Sequence, residues 1–289
     1  MSSTPLLSPN EPPAFDILNE ESDSHVLFTC EHAASRVPER LNGLGITPDH
    51  FGKHYAVDIG ARAITERLAA DLKCPAIIAN YSRLVIDLNR RANHPSLFPS
   101  SGEGTPIVGN MSMIESDKTI RIDTLYRPYH SWIKNWIDRK LAQGIVPAIL
   151  SVHSFTPVFH GQARPWEVSA LWLQDDRIPL PFIDYFRRQG YTVGDNEPYN
   201  GKILRGGTMD MHADGRRLPN LLVEYRNDLL QNPIEFEKLA THTIAALEKI
   251  FSDSSIFSLY DGAQTPYDPA LEEAYIRTVM RTINDGERK

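Results

Sequence analysis

The sequence predicts an α/β protein, with a central, mostly parallel or mixed sheet flanked by helices. Two observations carry this reading. Short apolar runs alternate with segments of helical period along the 289-residue chain. Several of those runs also have the unbroken apolar character of strands buried on both faces. No internal repeat is present, which argues against solenoids and arrays. With 41% hydrophobic and 23% charged residues, the chain has the balance of an ordinary globular protein.

Residues 1–22, beginning MSSTPLLSPNEPPAF, are Pro/Ser-rich and lack the basic start and apolar centre of a signal peptide. They are expected to form a flexible arm, and a cytoplasmic location is expected. Residues 23–289 are then a single domain. Ser24–Cys30 (SHVLFTC) is the first expected strand, and Asp58–Leu72 a helix with Ile64, Leu68 and Leu72 on one face and Asp58 as N-cap. Pro75–Ala79 and Leu84–Leu88 read as strands. Residues 89–119 hold an inserted loop, its Pro/Ser/Gly-rich part Asn89–Ser116 crossing the active-site face. Ile122–Gln143 is a helix closed by Gly144, with Pro128 distorting its early turns. Ala148–Val152, Glu167–Leu173 and Leu221–Tyr225 are further buried strands. Asn232-Pro233 opens a helix to Phe251, and Asp268-Pro269 opens the last, to Ile283.

Composition removes several function classes. Two cysteines, Cys30 and Cys74, exclude a disulfide scaffold or a multi-cysteine zinc module. A net charge of −7 argues against general nucleic-acid binding, which needs a basic footprint. No run approaches the roughly 18–20 apolar residues of a membrane span.

In open α/β sheets ligands bind beyond the carboxyl ends of the strands, so polar residues that close apolar runs are the candidates. His32 follows VLFTC; Asp87, Asn89 and Arg90 close SRLVIDLNR; His153 follows AILSV; Glu224 and Arg226 end NLLVEYR. Two histidines and a carboxylate suit a catalytic zinc with one position left for water. A hydrolase also needs a base for that water, and Asp58 and Glu224 are the strongest candidates for the ligand and base roles. Glu31 competes with Asp58 for the third ligand position, although strand alternation points it away from His32. Glu224 can instead be half of a structural ion pair with an arginine such as Arg226.

At these residues the sequence resembles the N-formylglutamate amidohydrolase family. The matching segments are CEHAAS with a downstream VPE, VDIGA, SRLVIDLNR, YRPYH, SVHSFTP, NEPYNG and LLVEYRNDL, in the family's order over roughly Val26–Leu230. The resemblance implies a fold like that of zinc-dependent exopeptidases, of phosphorylase/hydrolase type. It implies that His32, Asp58 and His153 hold zinc, that Glu224 is the general base, and that the substrate is a small N-acyl amino acid. A looser resemblance to zinc-dependent cell-wall amidases implies the same centre. One segment differs: Glu31-His32-Ala33-Ala34 stands where members closest to the histidine-degradation enzyme read Pro-His-Ser-Gly. That difference bears on the substrate more than on the hydrolytic centre.

Arg83, Arg90 and Arg226 are candidate clamps for a substrate carboxylate or an oxyanion, with Arg90 and Arg226 preferred. They can equally bind Asp87, Asp228 or loop carbonyls. His212, in the Gly-rich GGTMDMHADG segment, is a candidate mobile substrate contact. Arg127 and His130 lie on a helix and serve either behind the site or in packing. The histidines at 25, 50, 54, 94, 160 and 242 show no pattern. Cys30, on the strand leading to His32, offers a rival thiol route, though a buried strand-end cysteine is more often inert. Rival functions are a carboxypeptidase or cell-wall amidase with a wide cleft, and a metal-free binder of acylated amino acids.

Overall fold

The structure, a computed structural model, describes residues 5–276. Seven strands form one sheet: β1 (Phe15–Leu18), β2 (Val26–Cys30), β3 (Ala76–Ala79), β4 (Ala148–Phe155), β5 (Val168–Leu171), β6 (Val193–Asp195) and β7 (Asn220–Arg226). Their spatial order is β1-β3-β2-β4-β7-β5-β6. The four central strands β3, β2, β4 and β7 run parallel; β1 and β5 join them antiparallel, and β6 follows β5. The mixed α/β sheet is the expected one. Parallel strands are covered on both faces, and every residue of β2, β3 and β4 is buried accordingly.

Four long helices cover the sheet: α1 (Ala61–Asp71), α2 (Arg127–Ala142), α3 (Pro179–Arg188) and α4 (Pro233–Phe251). One core joins α1, α3 and α4 to the strand residues Phe28, Ile78, Val152, Val223 and Tyr225. The other joins α2 and the Leu84–Leu88 run to Leu27, Ile77 and Ile149. The sheet is therefore sandwiched, but α2 lies over its β1–β4 half and leaves β7 and β5 less covered. Asn232 caps α4 as the sequence indicates, its Oδ1 accepting from the N–H groups of Ile234 at 3.0 Å and Glu235 at 3.3 Å.

Several expectations need correction. The segment expected as a flexible arm supplies β1, paired antiparallel with β3, and buries Leu6. Leu84–Leu88 is not a strand: it turns, with Val85 N–H donating to Ser82 O, and its apolar residues pack under the loops. Within the inserted loop, Ser101–Gly102 pairs with Thr105–Pro106, and Val108–Met111 is a short helix. Helix formation before α2 starts at Glu115, and Ile122–Tyr126 wind as a π-turn just ahead of Pro128. That turn takes up the break a proline imposes on the ladder. Residues 269–276 are helical, with Asp268 accepting from Ala270 N–H at 2.9 Å; the rest of the expected last helix lies outside the described residues. No helix among the described residues is long and apolar enough to cross a membrane.

Candidate active site

The parallel direction of β2, β4 and β7 brings their carboxyl ends to one edge, and Glu224 sits directly opposite His153 in the register. His32 follows β2 by two residues. Asp58 arrives from the turn before α1, where its N–H donates to His32 O at 3.0 Å. It is not an N-cap: α1 starts three residues later, after Gly60 at φ +84°. A Cβ on Gly60 would stand 2.5 Å from Leu230 Cβ, so this turn needs glycine for both conformation and space.

Freed from capping, the Asp58 carboxylate faces both imidazoles. Its Oδ2 lies 2.7 Å from His153 Nδ1 and 3.3 Å from His32 Nδ1. One ligand atom from each of His32, Asp58 and His153 falls within 4.8 Å of the others, and all three residues are buried. Two imidazole nitrogens and a carboxylate oxygen converging this closely are a donor set that fits a divalent metal with a coordination position to spare. The far nitrogens are also backed by carboxylates. His32 Nε2 is 2.7 Å from Asp87 Oδ1, and His153 Nε2 is 3.0 Å from Glu31 Oε2, off the line of a hydrogen bond. Carboxylates in that position fix imidazole orientation in metal sites.

Glu31 thus stands behind His153, on the far side of the ring from Asp58, and also accepts from Ser151 at 2.8 Å and Tyr129 at 3.3 Å. Burial opposes ionisation of Asp58, Asp87 and Glu31 alike. The facing imidazoles nevertheless hold Asp58 well below the usual carboxylate range, Arg83 and His32 do the same for Asp87, and His153 holds Glu31 down to about 2. Burial also disfavours charge on His153, but Asp58 and Glu31 push its imidazole well above the ordinary range. Glu224 differs. Burial drives its carboxyl up to about 7, and its Oε2 is buried without a hydrogen-bond partner. A carboxyl titrating near neutral pH beside such a donor set is suited to moving protons.

His32, Asp58, His153 and Glu224 line a cavity of about 610 Å³. The N-formylglutamate amidohydrolase family model matches residues 24–231, close to the stretch over which the motifs run. The chain belongs to the N-formylglutamate amidohydrolase family. Like that family it is a hydrolase acting on amides, an amidohydrolase of N-acyl amino acids. It is similar to the gene product Atu2144 from Agrobacterium tumefaciens, at 31% identity and TM-score 0.80 over 86% of this chain and 99% of that one. It also shares its fold with N-formylglutamate amidohydrolase from Ralstonia eutropha JMP134, at 17% identity and TM-score 0.59 over 83% of this chain and 99% of that one. No curated protein matches the sequence.

The family motifs now have structural meaning, though not every singled-out residue reaches the cavity. Arg90 lines it, and its guanidinium meets no carboxylate among the described residues. Arg83 lines it too, but is tied to Asp87 at 2.7 Å and lies 3.6 Å from Asp58. Arg226 is outside the lining: the chain leaves β7 there, and its guanidinium turns back to Asp228 at 2.8 Å. His212 is also outside. It is buried against α2, where its Nε2 is 2.9 Å from His130 Nδ1, and His130 Nε2 donates to Leu88 O at 3.0 Å. Arg127 is on the surface, paired with Asp123 at 2.5 Å. Cys30 is fully buried and outside the cavity lining, and burial also drives its thiol well above the ordinary range, all of which count against the thiol route. Sequence reading missed His54, which pairs with Glu103 at 3.0 Å on the cavity wall, and it missed His160, Trp172 and Asp214. Isolated loop residues leave no periodic signal by which to find them.

Proposed function

We propose that the protein is a zinc-dependent hydrolase that cleaves the amide bond of a small, N-formylglutamate-like N-acyl amino acid, with Glu224 as general base. The observation that carries this is the unpartnered, buried Glu224 carboxylate on the same cavity wall as the converging His32, Asp58 and His153. His32, Asp58 and His153 would hold the metal, which when bound supplies Lewis-acid activation of water and of the acyl oxygen.

The chain's own groups do the rest. Glu224 Oε2 takes a proton from the attacking water and returns it to the leaving nitrogen, which needs a carboxyl able to hold a proton near neutral pH. Asp87 and Glu31 keep the two imidazoles oriented with Nδ1 toward Asp58. Arg90, on the cavity wall, would hold the substrate's α-carboxylate as a fork. Arg83, already neutralised by Asp87, steadies the carboxylates of the centre rather than the substrate.

The test is metal analysis of protein purified without added zinc, followed by a panel of N-formyl and N-acetyl amino acids before and after chelation. Bound zinc near one equivalent, turnover of panel members, loss on chelation and recovery with zinc are expected. Turnover that survives complete metal removal would overturn the proposal. Zinc without turnover would point to a carboxypeptidase or cell-wall amidase acting on a larger substrate, and neither zinc nor turnover to a binding protein.

A further inference from the structure

The proposed catalytic groups occupy only one end of the cavity. Asn220, Leu222 and Glu224 alternate along β7 and all line it, so the space runs down the strand away from the hydrolytic centre. At ~3.3 Å per residue, Glu224 and Asn220 are ~13 Å apart along the strand. The middle is apolar: Leu222 sits opposite Leu171 in the register, and Leu173, Leu204 and Met209 also line the cavity. A volume of about 610 Å³ is in the range that holds drug-sized ligands, and is large for N-formylglutamate.

The far end is built from acceptors. Asn220 Nδ2 donates to Asp214 Oδ1 at 3.1 Å and to Leu218 O at 3.0 Å, which leaves the amide oxygen as its remaining hydrogen-bonding atom. Asp214 is 7% exposed and Asn220 2%. Among the described residues no basic side chain forms an ion pair with Asp214. The nearby Arg91 and Arg205 are both bound to Asp210, and Arg177 is bound to Asp175 at 2.6 Å. Burial pushes the Asp214 carboxyl up to about 6, the signature of an acid whose charge lacks full compensation.

We infer that the substrate is an N-acyl α-amino acid with a long basic side chain, whose ammonium or guanidinium is received by Asp214 and Asn220. This rests on the amidohydrolase reading and names its substrate class. An arginine side chain places its terminal nitrogens about 9–10 Å from the acyl carbon at roughly 1.2 Å per bond, and a lysine its ammonium about 8 Å. A hydrogen bond of about 3 Å completes the reach to the far end. The α-carboxylate then lies toward Arg90 and the methylenes lie along Leu222 and Leu171. A glutamate side chain is shorter and carries the same charge as Asp214, so the inference keeps the N-acyl amino acid class of the proposed function and replaces its acidic side chain with a basic one.

The test measures binding, so that it does not depend on turnover. The zinc-loaded protein is titrated calorimetrically with the non-hydrolysable N-methylsulfonyl derivatives of arginine, norleucine and glutamate. The arginine compound is expected to bind about tenfold or more tighter than either other. In Asp214→Asn the arginine-to-norleucine ratio is expected to fall toward one. Equal binding of the three by the wild-type protein, which needs no variant to fold, would overturn the inference; so would a ratio unchanged in Asp214→Asn. Preference for arginine without hydrolysis of either N-formylarginine or N-acetylarginine would refute the amidohydrolase reading, and arginine would then be a ligand held by Asp214 and Asn220 rather than a substrate. Hydrolysis of neutral substrates with no binding preference would support the amidohydrolase reading and overturn this one.

Discussion

The two faces of β7 are made by neighbouring residues and do opposite things. Leu221, Val223 and Tyr225 point into the core shared with α1, α3 and α4, where Tyr225 OH meets Thr243 Oγ1 at 2.8 Å. Asn220, Leu222 and Glu224 point into the cavity, and Glu224 keeps an oxygen unpartnered. The covered face holds the strand in place, which lets the open face keep a carboxylate in an environment that a flexible chain would avoid. The alternation of a strand thus divides stability from chemistry, residue by residue.

The sharpest break of that division is Glu224→Gln. Its turnover is expected to fall about 100- to 10,000-fold, as removal of a general base does, while metal content and melting temperature hold. Activity retained in the variant would remove Glu224 from the mechanism. On the other face, Leu221→Ala is expected to cost about 2–5 kcal/mol in urea unfolding, with the rate per folded molecule unchanged. A third change falls where the two faces' strands meet the metal centre. Glu31→Gln is expected to weaken zinc binding about 10- to 100-fold in a chelator competition, without moving Asp58 or His32. Unchanged affinity would reduce Glu31 to packing.

The smallest expected effect concerns the buried His130–His212 pair. Burial lowers these imidazoles to about 3 and about 4 from 6.5, so the folded protein refuses protons that the unfolded chain accepts. Their penalty is absent above pH 6.5 and grows as pH falls from 6.5 toward 4. His212→Gln, which can still donate to His130 Nδ1, is expected to flatten that slope by up to ~1.4 kcal/mol per pH unit. Parallel stability curves for variant and wild type would show that His212 is not held neutral.

His32, His153 and Glu224 were legible because each polar residue closes an apolar run, and a parallel sheet sends such ends to one edge. Asp58 was reached for a partly wrong reason. Its place before a helix suggested a cap, whereas the Gly60 turn removes it from the helix and aims it at the histidines. Arg226 shares the parity of Glu224, but alternation fails where the strand ends, and Asp228 draws it aside. His212 looked mobile in a Gly-rich segment; Asn89 Oδ1 accepts from Thr208 N–H at 2.7 Å and pins that segment into a short helix. The Leu84–Leu88 run was too short for its period to separate a strand from a buried turn. The four-residue β1, inside a proline-rich stretch, gives less still.

The fit of Gly60 against Leu230 has a consequence for how the protein reaches its working form. These residues stand near opposite ends of the family-matched stretch, one beside Asp58 and the other just past β7. Contacts so distant in sequence form late and slowly, because a long loop must close before they are rewarded. His32 and Asp58 emerge early during synthesis, yet the turn that aims Asp58 has nothing to close against until the segment after β7 docks. The His32–Asp58–His153 cluster is therefore assembled by most of the chain, and a nascent fragment carries those residues without the site.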